Sequence, residues 1–256
     1  SSNYLAAVFI AEGFGLSFIE LSTGTIEYTE LSSIADVKQE LGRRKTAELL
    51  GSTLPEELEL YCKQQNIYVQ TIDSTSFWQG KRHVENHYSQ SVDELGFRNR
   101  ELGLCAVGAL LNYVQSTQKS SVSYLKLPRY YLPASYMKLD ASTIKNLELL
   151  KNIHDGSLRG SLLSIIDKTA SPMGGRLLRR WITHPLQDLL KIKARHFAVE
   201  EAVQNPILTA EVTELLKGLF DIERLVSKIC YRMQSPKDLV NLKYSLQKLP
   251  EITNYL

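Results

Sequence analysis

The hydrophobic period changes once along this chain, and that change constrains what it can fold into. Up to about residue 72, apolar residues fall in short strand-like runs broken by helical segments, whereas from Asp140 onward nearly all take helical spacing. The runs Tyr4 to Ala11 and Phe14 to Leu21 are separated by Glu12 and Gly13, which predicts a tight hairpin. Ser22, Thr23 and Gly24 supply the next turn. Beyond it, Ile26 and Tyr28 alternate with Thr25, Glu27 and Thr29, giving a third antiparallel strand. Ser32 or Ser33 can cap a helix through Ile34, Val37 and Leu41. Ala47 to Leu50 and Ile67 to Ile72 then read as short strands flanking a helix from Pro55 to Gln65.

Three strands followed by alternating helices and strands is the order of a ribonuclease-H-like fold. A long helix from about Asn99 to Gln115 closes this half, with Leu102, Cys105, Ala106, Ala109, Leu110 and Tyr113 on one face and Gly103 and Gly108 permitting close approach. Phe77 to Leu95 is polar and aperiodic, so it is expected to be a loop with a short helix. After the loop holding Pro128 and Pro133 the pattern is all-α. Ser171 with Pro172 suits a helix start, and Ser235, Pro236 and Asp238 resemble a capping box. The expected fold class is therefore α/β plus all-α, with domains at 1–129 and 130–256. Near the end, Leu239, Leu242, Leu246 and Leu249 form a stripe that should be covered, either by Leu215, Leu219 and Ile222 or by another molecule.

Charge separates along the same line. Through Pro133 there are 12 Lys and Arg against 15 Asp and Glu, a balance of −3; from Ala134 onward there are 18 against 13, a balance of +5. The second half is the better neighbour for polyanions, although helical charge is commonly just solvated. Cys62, Cys105 and Cys230 form no C-x-x-C pair and read as free thiols. No run is long enough to span a bilayer and the first ten residues lack a signal peptide's basic region, so a cytoplasmic or nuclear setting is expected.

Several constellations bear on chemistry. His83 and His87 would share a helix face, but Val84 stands where H-E-x-x-H needs Glu and no third ligand is near, so no metal is assigned. Glu12, Glu20 and Asp73 are the acids best placed to imitate a two-metal nuclease, the main enzymatic alternative. Arg176, Arg179 and Arg180 share a helix with Leu177, Leu178 and Trp181. The bland reading is an amphipathic helix with its apolar side buried; the functional one is that the arginines grip acids such as Asp167 and form a coupling joint.

The second half carries an ordered series: Met137, Leu139 and Asp140; Thr143, Asn146, Leu147, Glu148 and Leu149; Gly160-Ser161-Leu162-Leu163; Asp167, Thr169, Met173-Gly174, Arg176-Leu177-Leu178, Trp181, Pro185-Leu186; Arg195 and Ala198-Val199-Glu200; and Asp221-Ile222-Glu223-Arg224-Leu225. This series resembles the core domain of the MutS family, with Ser171 where the family usually has Thr. Tyr4-Leu5-Ala6-Ala7 and Glu20-Leu21-Ser22-Thr23-Gly24 resemble its connector domain. The resemblance implies part of a DNA mismatch-repair protein that couples a mismatch-reading end to an ATPase end, or alternatively part of a meiotic homologue that stabilises recombination intermediates. It implies that ATP and Mg²⁺ act in a longer parent and not here, since no G-x-x-x-x-G-K-[ST] occurs. The implied partners are mismatched double-stranded DNA through the parent, a MutL-type protein and a second parent subunit, with no membrane. Lys81 and Arg82, on the irregular loop, are the docking candidates. The sequence is expected to stop where the family's long lever helices begin.

Overall fold

The computed structural model describes residues 4–44, 46–117 and 122–255, so Ser1 and Leu256, the outer limits of the two expected domains, lie outside it. Two compact units form, one running to Pro133 and taking in Cys230–Arg232, the other holding Ala134–Ile229 and the residues from Met233 onward. Among the described residues the first unit contains a six-stranded sheet of β1 (Tyr4–Ile10), β2 (Phe14–Glu20), β3 (Thr25–Leu31), β4 (Thr46–Gly51), β5 (Tyr68–Thr71) and β6 (Arg129–Tyr130). Their spatial order is β5-β4-β1-β2-β3-β6. The first three strands pair antiparallel, with Val8 opposite Leu16 and Ser17 opposite Tyr28. β4 joins β1 in parallel, β5 joins β4 in parallel, and β6 joins β3 in parallel.

Both faces of this sheet are covered, which explains why its strands read as nearly continuous apolar runs. On one face Ala6, Val8, Leu16 and Phe18 pack with Val37 and Leu41 of α1 (Ile34–Arg43) and with Leu58 and Cys62 of α2 (Glu56–Gln64). Ser33 starts α1 by accepting a hydrogen bond from the Asp36 amide at 3.2 Å. On the other face Ala7, Phe9, Ile19 and Tyr28 pack against α5 (Glu101–Thr117). That approach is closer than any side chain allows: a methyl on Gly15 would lie 1.9 Å from the Leu102 carbonyl oxygen. Ser17 Oγ donates to the Ala106 carbonyl at 2.9 Å, satisfying a buried hydroxyl under the helix.

One sequence expectation changes here, and the expected short helix within Phe77 to Leu95 is found at Gly80–Tyr88, followed by turns. α5 is buried beyond its predicted face, because Val107, Gly108 and Leu111 are enclosed as well. The covering comes from the segment expected as a loop with a short helix, which forms α3 (Thr75–Trp78) and α4 (Gly80–Tyr88). Only Phe77, Gly80 and Val84 of these helices are buried, and a glycine adds nothing to a hydrophobic stripe, so the period is invisible in sequence. Gly80 and Gly108 meet backbone to backbone.

The second unit is helical: α6 (Ala141–Asn146), α7 (Leu162–Ile166), α8 (Pro172–Thr183), α9 (Leu189–Gln204), α10 (Pro206–Lys217), α11 (Ile222–Cys230) and α12 (Pro236–Thr253). Ser171 caps α8 by accepting from the Gly174 amide, and Ser235 and Asp238 cap α12 reciprocally, as the sequence predicts. The expected seating of the leucine stripe is corrected: Leu239, Leu246 and Leu249 stay exposed within their own unit. α12 buries Ser245 and Ile252 instead. The Ser245 hydroxyl accepts from the Phe220 amide at 3.0 Å and donates to the Asn241 carbonyl at 2.9 Å, and so small a side chain lets the helix close in. That contact turns the stripe roughly 100° away from the seat, at 100° per residue.

Candidate coupling and docking site

The α8 arginines divide. Arg176 donates through both terminal nitrogens to Asp221, one of these bonds at 2.9 Å, and through Nη2 to Glu223 at 2.6 Å. This planar fork ties α8 to the start of α11 across 45 residues of sequence. Burial opposes ionisation of Asp221, but the Arg176 hydrogen bonds and charge outweigh it and hold the carboxyl below its ordinary range. The same contacts push the Arg176 guanidinium up. Arg179 and Arg180 are exposed.

Asp167, the example acid in the functional reading of the three arginines, is not the one that Arg176 grips. It closes its own turn, accepting from the Thr169 hydroxyl at 2.7 Å and the Thr169 amide at 3.1 Å. Those bonds lower its pKa, with Arg179 adding a smaller pull. Only nine positions separate Asp167 from Arg176, yet the acids that reach the guanidinium come from the distant start of α11. A second correction concerns the apolar side of α8: Leu177 is 50% exposed and Trp181 37% exposed, so that side is not buried in its own unit. Arg195 of α9 lies over the Trp181 ring at 3.8 Å. Beside this pair, α9 and α10 enclose an apolar groove of about 870 Å³ lined by Ala198, Val199, Ala202 and Ala210 among others.

The first unit holds a charged cluster that sequence reasoning missed. Arg44, buried, donates to Glu40 at 2.5 Å and to Glu27 at 3.3 Å. Its guanidinium carbon lies 4.5 Å from the Phe18 ring centre and 4.2 Å from that of Tyr131. Tyr131 in turn donates to Glu40 at 2.9 Å, and Arg43 meets the other Glu40 oxygen at 2.9 Å. Glu40 four residues before Arg44, on a helix whose inner face is apolar, was the available signal.

Lys81 and Arg82 lie exposed on α4, not on a loop, and among the described residues neither meets a carboxylate. Of the two histidines on that helix, His87 shares its Nδ1 with the Gln115 amide at 2.9 Å. Burial lowers both imidazole pKa values, with the Arg82 charge adding to the effect at His83. Glu12 occupies the β1–β2 turn and Glu20 the far end of β2, roughly 20 Å apart at about 3.4 Å per residue. Glu20 is bound locally by the Ser22 and Thr23 hydroxyls, and Asp73 by the Thr75 amide. Among the described residues no three His, Cys, Asp or Glu side chains gather as a metal site, and no helix is long and apolar enough to cross a membrane. Cys62 is buried, with its thiol pushed up to about 11 by burial and then by the Glu59 charge; Cys105 and Cys230 are half-buried free thiols.

The chain thus joins a mixed-sheet unit to a helical unit, and each holds an arginine–carboxylate cluster. Residues 3–126 match MutS domain II and residues 142–256 match MutS domain III. The chain belongs to the MutS family. It is 34% identical to the DNA mismatch repair protein MutS of Caldanaerobacter subterraneus subsp. tengcongensis, over 100% of this chain and 30% of that protein. It is 37% identical to the protein of the same name from Methanothrix thermoacetophila, over 99% and 28%, and 35% identical to that of Alkaliphilus metalliredigens, over 100% and 30%. The chain thus spans less than a third of the length of these relatives.

Proposed function

We propose that this chain is the connector and the first helical part of the core of a longer mismatch-repair MutS protein. In that protein it passes conformational state between a region that reads mismatched double-stranded DNA and a region that hydrolyses ATP with Mg²⁺, and it presents a docking surface to a MutL-type partner. The chain by itself is read as non-catalytic and without a cofactor, and the longer protein as a dimer in the cytoplasm, or in the nucleus of a cell that has one.

The observation that carries the reading is the Arg176 fork on Asp221 and Glu223. A joint held by directional, charge-assisted bonds moves as one body and can pass on a displacement that a fluid apolar contact would absorb. The first unit reads as ribonuclease-H-like because an antiparallel β1–β2–β3 meander is extended on the β1 side by parallel β4 and β5. The separation of Glu12 from Glu20 speaks against a nuclease. The relatives' name, mismatch repair, favours this reading over a meiotic homologue.

The test places Arg176→Met in the longer protein. Mismatch affinity and ATP hydrolysis without DNA should each stay within about twofold, while the change that mismatched DNA makes in ATP turnover should shrink at least about fivefold. An unchanged response overturns the coupling role. For docking, Lys81→Glu with Arg82→Glu should weaken capture of a MutL-type protein and leave mismatch affinity intact; unaltered capture overturns that part.

A further inference from the structure

Trp78 is the bulkiest side chain that the first unit leaves in solvent, 68% exposed. It is nonetheless held firmly, with the Phe9 ring meeting it edge to face at 5.0 Å. Trp78 is the last residue of α3, and Gln79 alone separates it from α4, whose first turn is closed by the His83 amide donating to the Gln79 carbonyl at 3.1 Å. Lys81 and Arg82 follow three and four residues after Trp78 and, like it, are exposed. Phe77 of α3 and Gly80 and Val84 of α4 are buried. Because Gly80 lies against the α5 backbone with no space for a methyl, α4 cannot roll, and the outward face is fixed.

We propose that Trp78, Lys81 and Arg82 form a docking face for a short acidic protein segment bearing a bulky apolar residue. The proposal rests on the reading of α4 as a docking surface and names the chemistry it recognises. A rigid, exposed indole offers large contact area at little entropic cost and is the residue type most enriched at binding hot spots. Beside it stand two cations without carboxylate partners among the described residues; Glu85, the next residue on that face, turns its carboxylate to the Val92 amide at 3.4 Å. Two neighbouring cations suit a short segment that carries carboxylates. A nucleic acid needs more phosphate contacts than two cations supply.

The 256-residue chain contains two tryptophans, so Trp181→Phe leaves Trp78 as the sole indole reporter. The probe is an end-blocked peptide of Asp and Glu around a central Leu-Phe pair; the controls are the same peptide with Lys for each acid and a single-stranded oligonucleotide. The acidic peptide should give a saturable blue shift of Trp78 emission that weakens with added salt. Lys81→Glu with Arg82→Glu should reduce affinity about tenfold or more. Trp78→Ala should reduce it similarly when a labelled peptide is followed by fluorescence anisotropy. No saturable change, an equal response to the Lys peptide, or tighter binding of the oligonucleotide overturns the proposal. Loss of MutL capture by the charge-reversed longer protein, with no acidic-peptide binding here, overturns this inference and leaves the docking role standing.

Discussion

Arg176 and Asp221 are joined by two hydrogen bonds that a lysine could not reproduce, because only a guanidinium presents paired nitrogens to a carboxylate. Arg176→Met should cost the helical unit on the order of 2 kcal/mol at neutral pH, and Arg176→Lys should recover less than half of that. Urea unfolding followed by far-ultraviolet circular dichroism measures both. Equal stability of the Lys variant and the parent would show that charge alone holds the joint.

The same pair carries a pH signature. The folded-state pKa of Asp221 lies below its unfolded value of about 3.9, so its contribution is fully present above that value. It is lost as pH falls through the folded pKa. Acidification from neutral pH through about 4 and below should therefore destabilise the parent chain more than Arg176→Met. Thermal unfolding across that range would show the two curves converging at the acid end; parallel curves would contradict the assignment.

In the first unit, Arg44→Met removes a buried charge shared by Glu27 and Glu40 and should cost about 3 to 5 kcal/mol. Adding Glu27→Gln, which leaves the Arg43–Glu40 pair intact, should return part of the loss, since the penalty comes in part from a carboxylate left without that cation. A double variant no more stable than Arg44→Met would assign the loss to the Phe18 and Tyr131 packing instead.

Gly108→Ala tests the closeness of α4 and α5. In an open helix this change stabilises by about 1 kcal/mol. Here the new methyl would come within 2.2 Å of the Gly80 Cα, so the variant should lose about 1 to 3 kcal/mol. A neutral or stabilising result in thermal denaturation would mean that α4 can lift away.

On α12, Leu246→Asp should leave the chain's stability within about 0.5 kcal/mol, because Leu246 is 48% exposed in its own unit. Ile252→Asp, at a buried position, should cost several times more. Light scattering alongside distinguishes an open stripe from one covered by a second copy: a concentration-dependent rise in mass, abolished by Leu246→Asp, would indicate self-association.

What could be read from sequence follows the range of each interaction. β1 to β5 were legible because local apolar runs and turn residues define them, as were the Ser171 and Ser235 caps, whose partners lie three residues away. Arg176 was picked out, but its acids were not, since Asp221 enters from distant sequence. Arg44 sits in the run Arg43-Arg44-Lys45, which reads as solvated charge; only the meeting of Phe18 with Tyr131 makes it interior. α3 and α4 were obscured because Gly80 makes their inner contact without an apolar side chain. The direction of α12 depended on one serine hydroxyl finding the Phe220 amide, which no periodicity encodes.

The pairing of β6 with β3 has a consequence for synthesis. Tyr130 lies opposite Tyr28, and the Tyr131 amide donates to the Tyr28 carbonyl at 3.1 Å, so the β3 edge is completed by residues made about a hundred positions later. At roughly 5 to 20 residues per second, a ribosome leaves that edge open for about 5 to 20 s after β3 emerges. During that interval Glu27 also waits, near the Arg44 it will share with Glu40, for the Tyr131 ring that closes over the guanidinium. The nascent meander is thus exposed to strand capture by neighbouring chains, and its protection in the cell is a matter of timing as much as of final stability.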